Sequence, residues 1–222
     1  MAELTINMGG YQPPTSVHNR AAEVFGKELK TRLGDRVEFN LDGNMPESTG
    51  CRADDLPKMV DKGDLTMCYF ASSYLTENVP EMGIFDLPFV VDSREKAYAA
   101  LDGELGDLLK KKYLETTGWR VLGFWDNGFR HFTNSKQAMR TPSDCEGMSV
   151  RSMNSELHQE FFRLLGMEPM YVDVSDLVEA AKSGKLDAQE NPLTNTYRFW
   201  TYKYPRHITL SGHFFGTGLV LV

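Results

Sequence analysis

Apolar positions along the chain switch repeatedly between a two-residue and a roughly three-and-a-half-residue period, and the switches mark out its elements. "LTINMG" reads as a strand. In "PPTSVHNRAAEVFGKELKTRLG" the residues Val17, Ala21, Val24, Phe25, Leu29 and Leu33 fall on one helical face. Ser16 is placed to cap that helix and Gly34 to end it. "RVEFNL" alternates Val37, Phe39 and Leu41 as a half-buried strand does. A short helix around Leu56, Met59 and Val60 stops at Gly63, and "LTMCYF" follows as a strand too apolar for an edge. "SREKAYAALDGELGDLLKKKYLETTG" reads as one amphipathic helix and "WRVLGFW" as the next strand. A βαβα succession of this kind predicts a largely parallel sheet with helices on its faces.

The rhythm breaks at Asp126-Asn127-Gly128 and restarts as a second α/β unit. "FRHFTN" and "MSVRSM" read as strands, "SELHQEFFRLLG" as a helix, "EPMYVD" as a strand and "SDLVEAAKSG" as a helix closed by Gly184. No low-complexity linker separates the halves, so two closely apposed lobes are expected, with a cleft of the sort that takes small molecules. The chain finishes on an apolar, strongly β-forming run, "GHFFGTGLVLV". A terminus normally lies at the surface, which points to further segments after Val222.

Composition narrows the function without naming it. With 41% hydrophobic and 25% charged residues the chain is an ordinary globular one, and 24 basic against 31 acidic residues give a net charge of −7. No basic stripe is present for nucleic acid to follow. No apolar run reaches the length of a membrane span, and the N-terminus lacks the basic segment and apolar core of a signal peptide. A processed exported chain restarted with Met-Ala would read the same way. Cys51, Cys68 and Cys145 are widely spaced and form no Cys-x-x-Cys, so neither zinc nor a disulfide framework is expected. Walker, Gly-x-Gly-x-x-Gly, Gly-x-Ser-x-Gly and His-Glu-x-x-His motifs are all missing, so nothing in the sequence calls for a cofactor or a catalytic centre.

Two arginines follow the junction between the halves. Arg151 interrupts the apolar strand of "CEGMSVRSMNSE", and Arg130 sits in "GFRHFTN". Each is either half of a surface ion pair or a carboxylate clamp, in which the planar guanidinium offers parallel donors to two oxygens. In "SGKLDAQENPLTN", Pro192 suits the first turn of a helix with Asn191 as its cap, although the same amide can be aimed at a ligand.

Four stretches in register resemble the extracytoplasmic solute-binding subunits of TRAP transporters, of the dicarboxylate-binding DctP-like type. They are "HNRAAEVFGKELKTRLGDRVEF", "GIFDLPFVVDSREKAYAALDGELG", "GFRHFTNSKQAMRTPSDCEGMSVRSMN" and "LVEAAKSGKLDAQENPLTN", and the resemblance runs over essentially the whole chain. The resemblance implies an α/β fold of the two-lobed periplasmic-binding-protein (Venus-flytrap) kind, with its C-terminal segments missing. Residues 1–126 and the returning 216–222 would form lobe 1, residues 127–215 lobe 2, with hinge crossings near Trp125–Gly128 and Phe214–Gly218. It further implies a monomeric periplasmic binding protein, not an enzyme, that captures an organic acid and passes it to TRAP membrane subunits; a ligand-sensing domain would use the same cleft. By the match, Arg151 is the principal carboxylate-binding residue and Arg130 a second cationic position. Asn154 and Asn191 fall at polar ligand-contacting positions. Tyr11, Ser72 and Tyr74 match first-lobe positions that line the cleft, and Val174 and Phe214 apolar wall or hinge-side positions. Ala181-Lys182, Ala188 and Cys51 depart from the family's usual residues at their positions.

Overall fold

The computed structural model describes residues 2–199 and 201–222. The first half builds β1 (Leu4–Gly9), α1 (Val17–Leu33), β2 (Val37–Asp42), the short α2 (Met45–Thr49) and α3 (Leu56–Asp61), and β3 (Met67–Ala71). Two 3-10 turns, Ser72–Leu75 and Pro80–Asp86, lead into α4 (Arg94–Leu101) and α5 (Glu104–Thr117). Then come β4 (Val121–Asn134), β5 (Ser149–Ser152), α6 (Glu156–Leu164), β6 (Glu168–Tyr171), α7 (Leu177–Ser183), β7 (Ala188–Pro192), α8 (Leu193–Arg198) and β8 (His207–Leu221).

Most of the expected elements form for the expected reasons. The Ser16 side chain accepts a hydrogen bond from the Asn19 backbone N–H, and α1 ends at Gly34 with φ of 61°. The buried face of α1 matches the expected one only in part, with Phe25, Leu29 and Leu33 packed half-buried against the core. Val24 is exposed, while His18, Asn19, Ala22 and Gly26 face inward. Gly26 lies there because the ring of Phe39 occupies the space a β-carbon would need, 2.2 Å away. Asn19 lies there because its amide serves the carbonyls of Gln12, Pro13 and Gly43.

Two readings of the sequence are corrected. The long amphipathic stretch 94–117 is two helices, because Asp102-Gly103 breaks it and α5 folds back tightly. A β-carbon on Gly106 would stand 1.8 Å from the Leu101 carbonyl oxygen, so the close approach needs glycine. Conversely, "WRVLGFW" and "FRHFTN" belong to one fourteen-residue strand, β4, with a register shift between Asp126 and Gly128, where Gly128 takes φ of 104°. The rhythm breaks at Asp126-Asn127-Gly128 because the strand is bulged there.

All eight strands form one sheet in the order β2-β1-β3-β8-β4-β7-β5-β6. The outer trios, β2-β1-β3 and β7-β5-β6, are parallel as expected. The centre is antiparallel, because β4 runs out along the sheet and β8 returns beside it. The sheet is therefore mixed. Its apolar side chains separate into two cores. The larger gathers Met8, Leu56, Tyr69, Met82, Tyr113 and Leu219, and the smaller gathers Phe132, Met148, Val150, Phe162 and Phe214. The molecule is thus two-lobed, with the paired β4 and β8 belonging to both cores. Cys68 and Cys145 are buried free thiols and Cys51 is a half-buried one.

Candidate functional site

Strand register decides which way each arginine points. Val150 of β5 pairs with Ala188 of β7, and both side chains enter the smaller core. Alternation along a strand then turns Arg151 to the opposite face, the one that Gln189 and Asn191 share on β7. On β4, Thr133 pairs with Gln189, and the Gln189 amide donates to the Thr133 hydroxyl. Phe132 and Glu190 pair on the other face, and there the Arg130 side chain meets Glu190.

Arg130 is only 1% exposed and is spent on a protein acid. Its Nε donates to Glu190 Oε2 at 2.5 Å and its Nη2 to Oε1 at 2.7 Å, with a further bond to the Glu190 carbonyl at 3.2 Å. Burial alone would raise the Glu190 carboxyl, but the Arg130 charge and its hydrogen bonds outweigh that and hold it well below the usual carboxylate range. Burial likewise opposes the charge on Arg130, and Glu190 more than restores it. The His213 ring lies 3.5 Å from Glu190, and burial keeps it below the ordinary histidine value despite that neighbour. His158 stands between two acids, 3.1 Å from Asp86 and 3.8 Å from Glu190. The ion pair open to Arg130 on sequence grounds thus exists, but it is buried rather than at the surface.

Arg151 is equally buried, at 1% exposure, yet no carboxylate lies within 4 Å of it among the described residues. Its Nε donates to the Val172 carbonyl at 2.8 Å, and its Nη2 reaches the Tyr74 hydroxyl at 3.5 Å. Tyr74 comes from the turn after β3 and Arg151 from β5, so this contact joins the two lobes. Burial raises the Tyr74 phenol above its ordinary value, against the influence of Arg151 and Arg130. Burial also carries Tyr11 well above 10, with Tyr74, Tyr69 and Arg130 acting on it as well. Tyr11, Tyr74, Arg130 and Arg151 therefore sit within electrostatic reach across the junction.

The other expected positions divide. Ser72 is buried and shares a 2.5 Å hydrogen bond with Thr217 of β8. Asn191 is buried in β7, where its amide donates to Gln189 at 2.7 Å. It does not cap α8; Pro192 takes the cap position instead. Asn154 lies exposed just beyond β5. Phe214 is buried in the smaller core, stacked on His158 with centroids 4.3 Å apart, and Val174 packs into the larger core. Further contacts across the junction are the bond from Tyr171 to Asp54 and the ion pairs of Arg52 with Asp173 and Asp176. The role of Glu190 was not read from the sequence, although an acid inside the strand-like "AQENP" is itself the signal that a buried cation must meet it.

Among the described residues no group of His, Cys, Asp and Glu could hold a metal, and no helix is long and apolar enough to cross a membrane. What the junction offers is a buried guanidinium with donors to spare, facing the Tyr74 phenol of the other lobe.

Known proteins share this fold. The family description "Bacterial extracellular solute-binding protein, family 7" (DctP) matches residues 8–222. The 2,3-diketo-L-gulonate-binding periplasmic protein of Escherichia coli is 28% identical over the whole of this chain, which spans 66% of its length. A TRAP periplasmic solute-binding protein of Sulfurospirillum deleyianum, solved with succinate, superposes with a TM-score of 0.92 at 31% identity. The sugar-acid-binding protein of Advenella mimigardefordensis, solved with galactonate, gives 0.93 at 26% identity. All of this chain is covered in both structures, together with 70% of each of those chains. By its sequence, its two-lobed sheet and these relatives, the chain belongs to the DctP family of bacterial extracellular solute-binding proteins.

Proposed function

We propose that the chain is the ligand-capturing body of a TRAP transporter's solute-binding subunit, which holds an organic acid between its lobes by the Arg151 guanidinium. The observation that carries this reading is the buried arginine without a carboxylate partner. A desolvated charge of that kind is costly unless a counter-charge meets it, and a ligand carboxylate supplies one with two matching oxygens. The relatives bind both a dicarboxylate, succinate, and a monocarboxylate, galactonate, so the acid character of the ligand is what they have in common.

In this reading, residues 1–126 with 216–222 form one lobe and 127–215 the other; the smaller core is built wholly from the second, while Val174 and Phe215 of that lobe reach into the larger core. The lobes hinge where the bulge of β4 near Asp126–Gly128 pairs with Thr217 and Gly216 of β8. Tyr74, Tyr11, Ser72, Asn191, Asn154 and Phe214 surround or support the ligand. Arg130 holds the second lobe's floor together through Glu190. The protein binds and releases its acid unchanged, acts outside the cytoplasm as a monomer, and hands its cargo to TRAP membrane subunits. Ligand binding raises the melting temperature by mass action, so a thermal-shift screen against organic acids tests the reading. At least one acid should raise the melting temperature and be recovered intact by mass spectrometry. No shift with any acid, or conversion of the bound acid, contradicts it.

A further inference from the structure

We propose that the site takes an acid with a single carboxylate, whose remaining oxygens are neutral hydroxyl or oxo groups. This rests on the function proposed above and names the chemical class of its ligand. The ground is the pairing of buried charges at the lobe junction. Glu190 has Arg130, at 2.5 and 2.7 Å. Asp173 has Arg52, at 3.8 Å, and also accepts from the backbone and hydroxyl of Ser175. Asp86 lies against His158, at 3.1 Å. Of the three arginines, Arg151 alone has no acid within 4 Å among the described residues. The junction therefore carries one guanidinium for one carboxylate.

The two arginines also do not form a matched pair of clamps. Arg151 shares its face of the sheet with Gln189 and Asn191, while the Arg130 side chain is locked against Glu190 beside His158, His213 and Phe214. A second carboxylate would find neutral partners instead. The phenols of Tyr74 and Tyr11 are held protonated by burial, and the other groups are the Ser72 and Thr217 hydroxyls and the Asn191 amide. Such groups hydrogen-bond well to hydroxyl or oxo oxygens, but they cannot balance a second buried negative charge.

Calorimetric titration of the full chain with matched pairs tests the proposal: galactonate with galactarate, erythronate with meso-tartrate, and butyrate with succinate. Members of a pair differ only in whether the far carbon carries a carboxylate. In every pair that binds, the monocarboxylate should be at least tenfold tighter. A dicarboxylate that binds as tightly as its partner, or more tightly, overturns the proposal and leaves the organic-acid function standing. Failure of every acid to bind, in these pairs and in the wider screen, overturns the proposed function and the inference with it. Glu190→Gln, which removes the counter-charge of Arg130, should narrow the ratio at least threefold. An unchanged ratio in a folded variant also overturns the proposal, and if the variant does not fold, the comparison in the parent protein decides.

Discussion

Removing one partner of the Arg130–Glu190 pair should show how much of the second lobe rests on it. Arg130→Met keeps much of the volume and deletes the charge, leaving the Glu190 carboxylate buried with only His213 and His158 nearby. Three hydrogen bonds from the guanidinium to Glu190 disappear, two of them to the carboxylate oxygens themselves. Breaking a buried pair in this way costs about 3–5 kcal/mol, because the surviving charge loses both its counter-ion and its solvent. For a chain of 222 residues each kcal/mol shifts the melting point by roughly 2–4 °C, so a fall of about 6–20 °C is expected. The double variant Arg130→Met, Glu190→Leu removes both desolvation penalties and should recover most of the loss. Urea unfolding followed by far-UV circular dichroism supplies the free energies, with the denaturant slope checked for constancy. A single variant that loses less than about 1 kcal/mol would refute the argument, since that is the scale of a surface pair. So would a double variant as unstable as the sum of the two single ones.

Tyr69→Phe deletes a hydroxyl that accepts from the backbone N–H groups of Tyr11 and Gln12 and donates to Asn19. Leaving those buried groups unpaired should cost about 1–3 kcal/mol in the same assay, and a loss within experimental error would show that other partners replace the hydroxyl. His18, buried against Tyr69 and Trp125, has its proton affinity pushed down from 6.5 to about 4 by burial, against the pull of Asp126. Its unfolded form binds the proton at higher pH than its folded form. Its contribution is therefore complete above about pH 6.5 and is lost as the pH falls toward 4, amounting to about 3 kcal/mol. His18→Phe should flatten the stability profile over that window, and a slope equal to the parent's would contradict the assignment.

Local chemistry was legible in the sequence, and long-range pairing was not. Ser16, Gly34, Gly63 and Gly184 mark helix ends because caps and left-handed turns depend on the residue at the position itself. Alternation placed β2 and the buried β3, since half-buried and fully buried strands differ in composition. The break at Asp102-Gly103 was hidden because apolar periodicity carries on through it, and only the collision awaiting a side chain at Gly106 reveals the fold-back. The continuity of β4 was hidden for the opposite reason, since a bulge and a glycine imitate a turn. At the site, a resemblance to known proteins singled out Arg151, yet its direction depends on the pairing of Val150 with Ala188, thirty-eight positions away. The partner of Arg130 lies sixty positions along the chain and becomes its neighbour only through the antiparallel register of β4 and β7. Nothing local in "GFRHFTN" distinguishes that arginine from Arg151.

The central claim is that Arg151 is buried for the sake of a ligand, and Arg151→Met tests it most directly by reading stability and binding in the same protein. Without ligand, an apolar side chain of similar length removes an unbalanced buried charge while giving up one bond to Val172 and one to Tyr74. The ligand-free variant should therefore be at least as stable as the parent. With the acid that gives the largest thermal shift, removing one side of a desolvated charge pair should cost about 2–5 kcal/mol of binding. That corresponds to an affinity loss of roughly thirtyfold to several thousandfold by calorimetric titration. A variant that binds the acid within threefold of the parent would contradict the account.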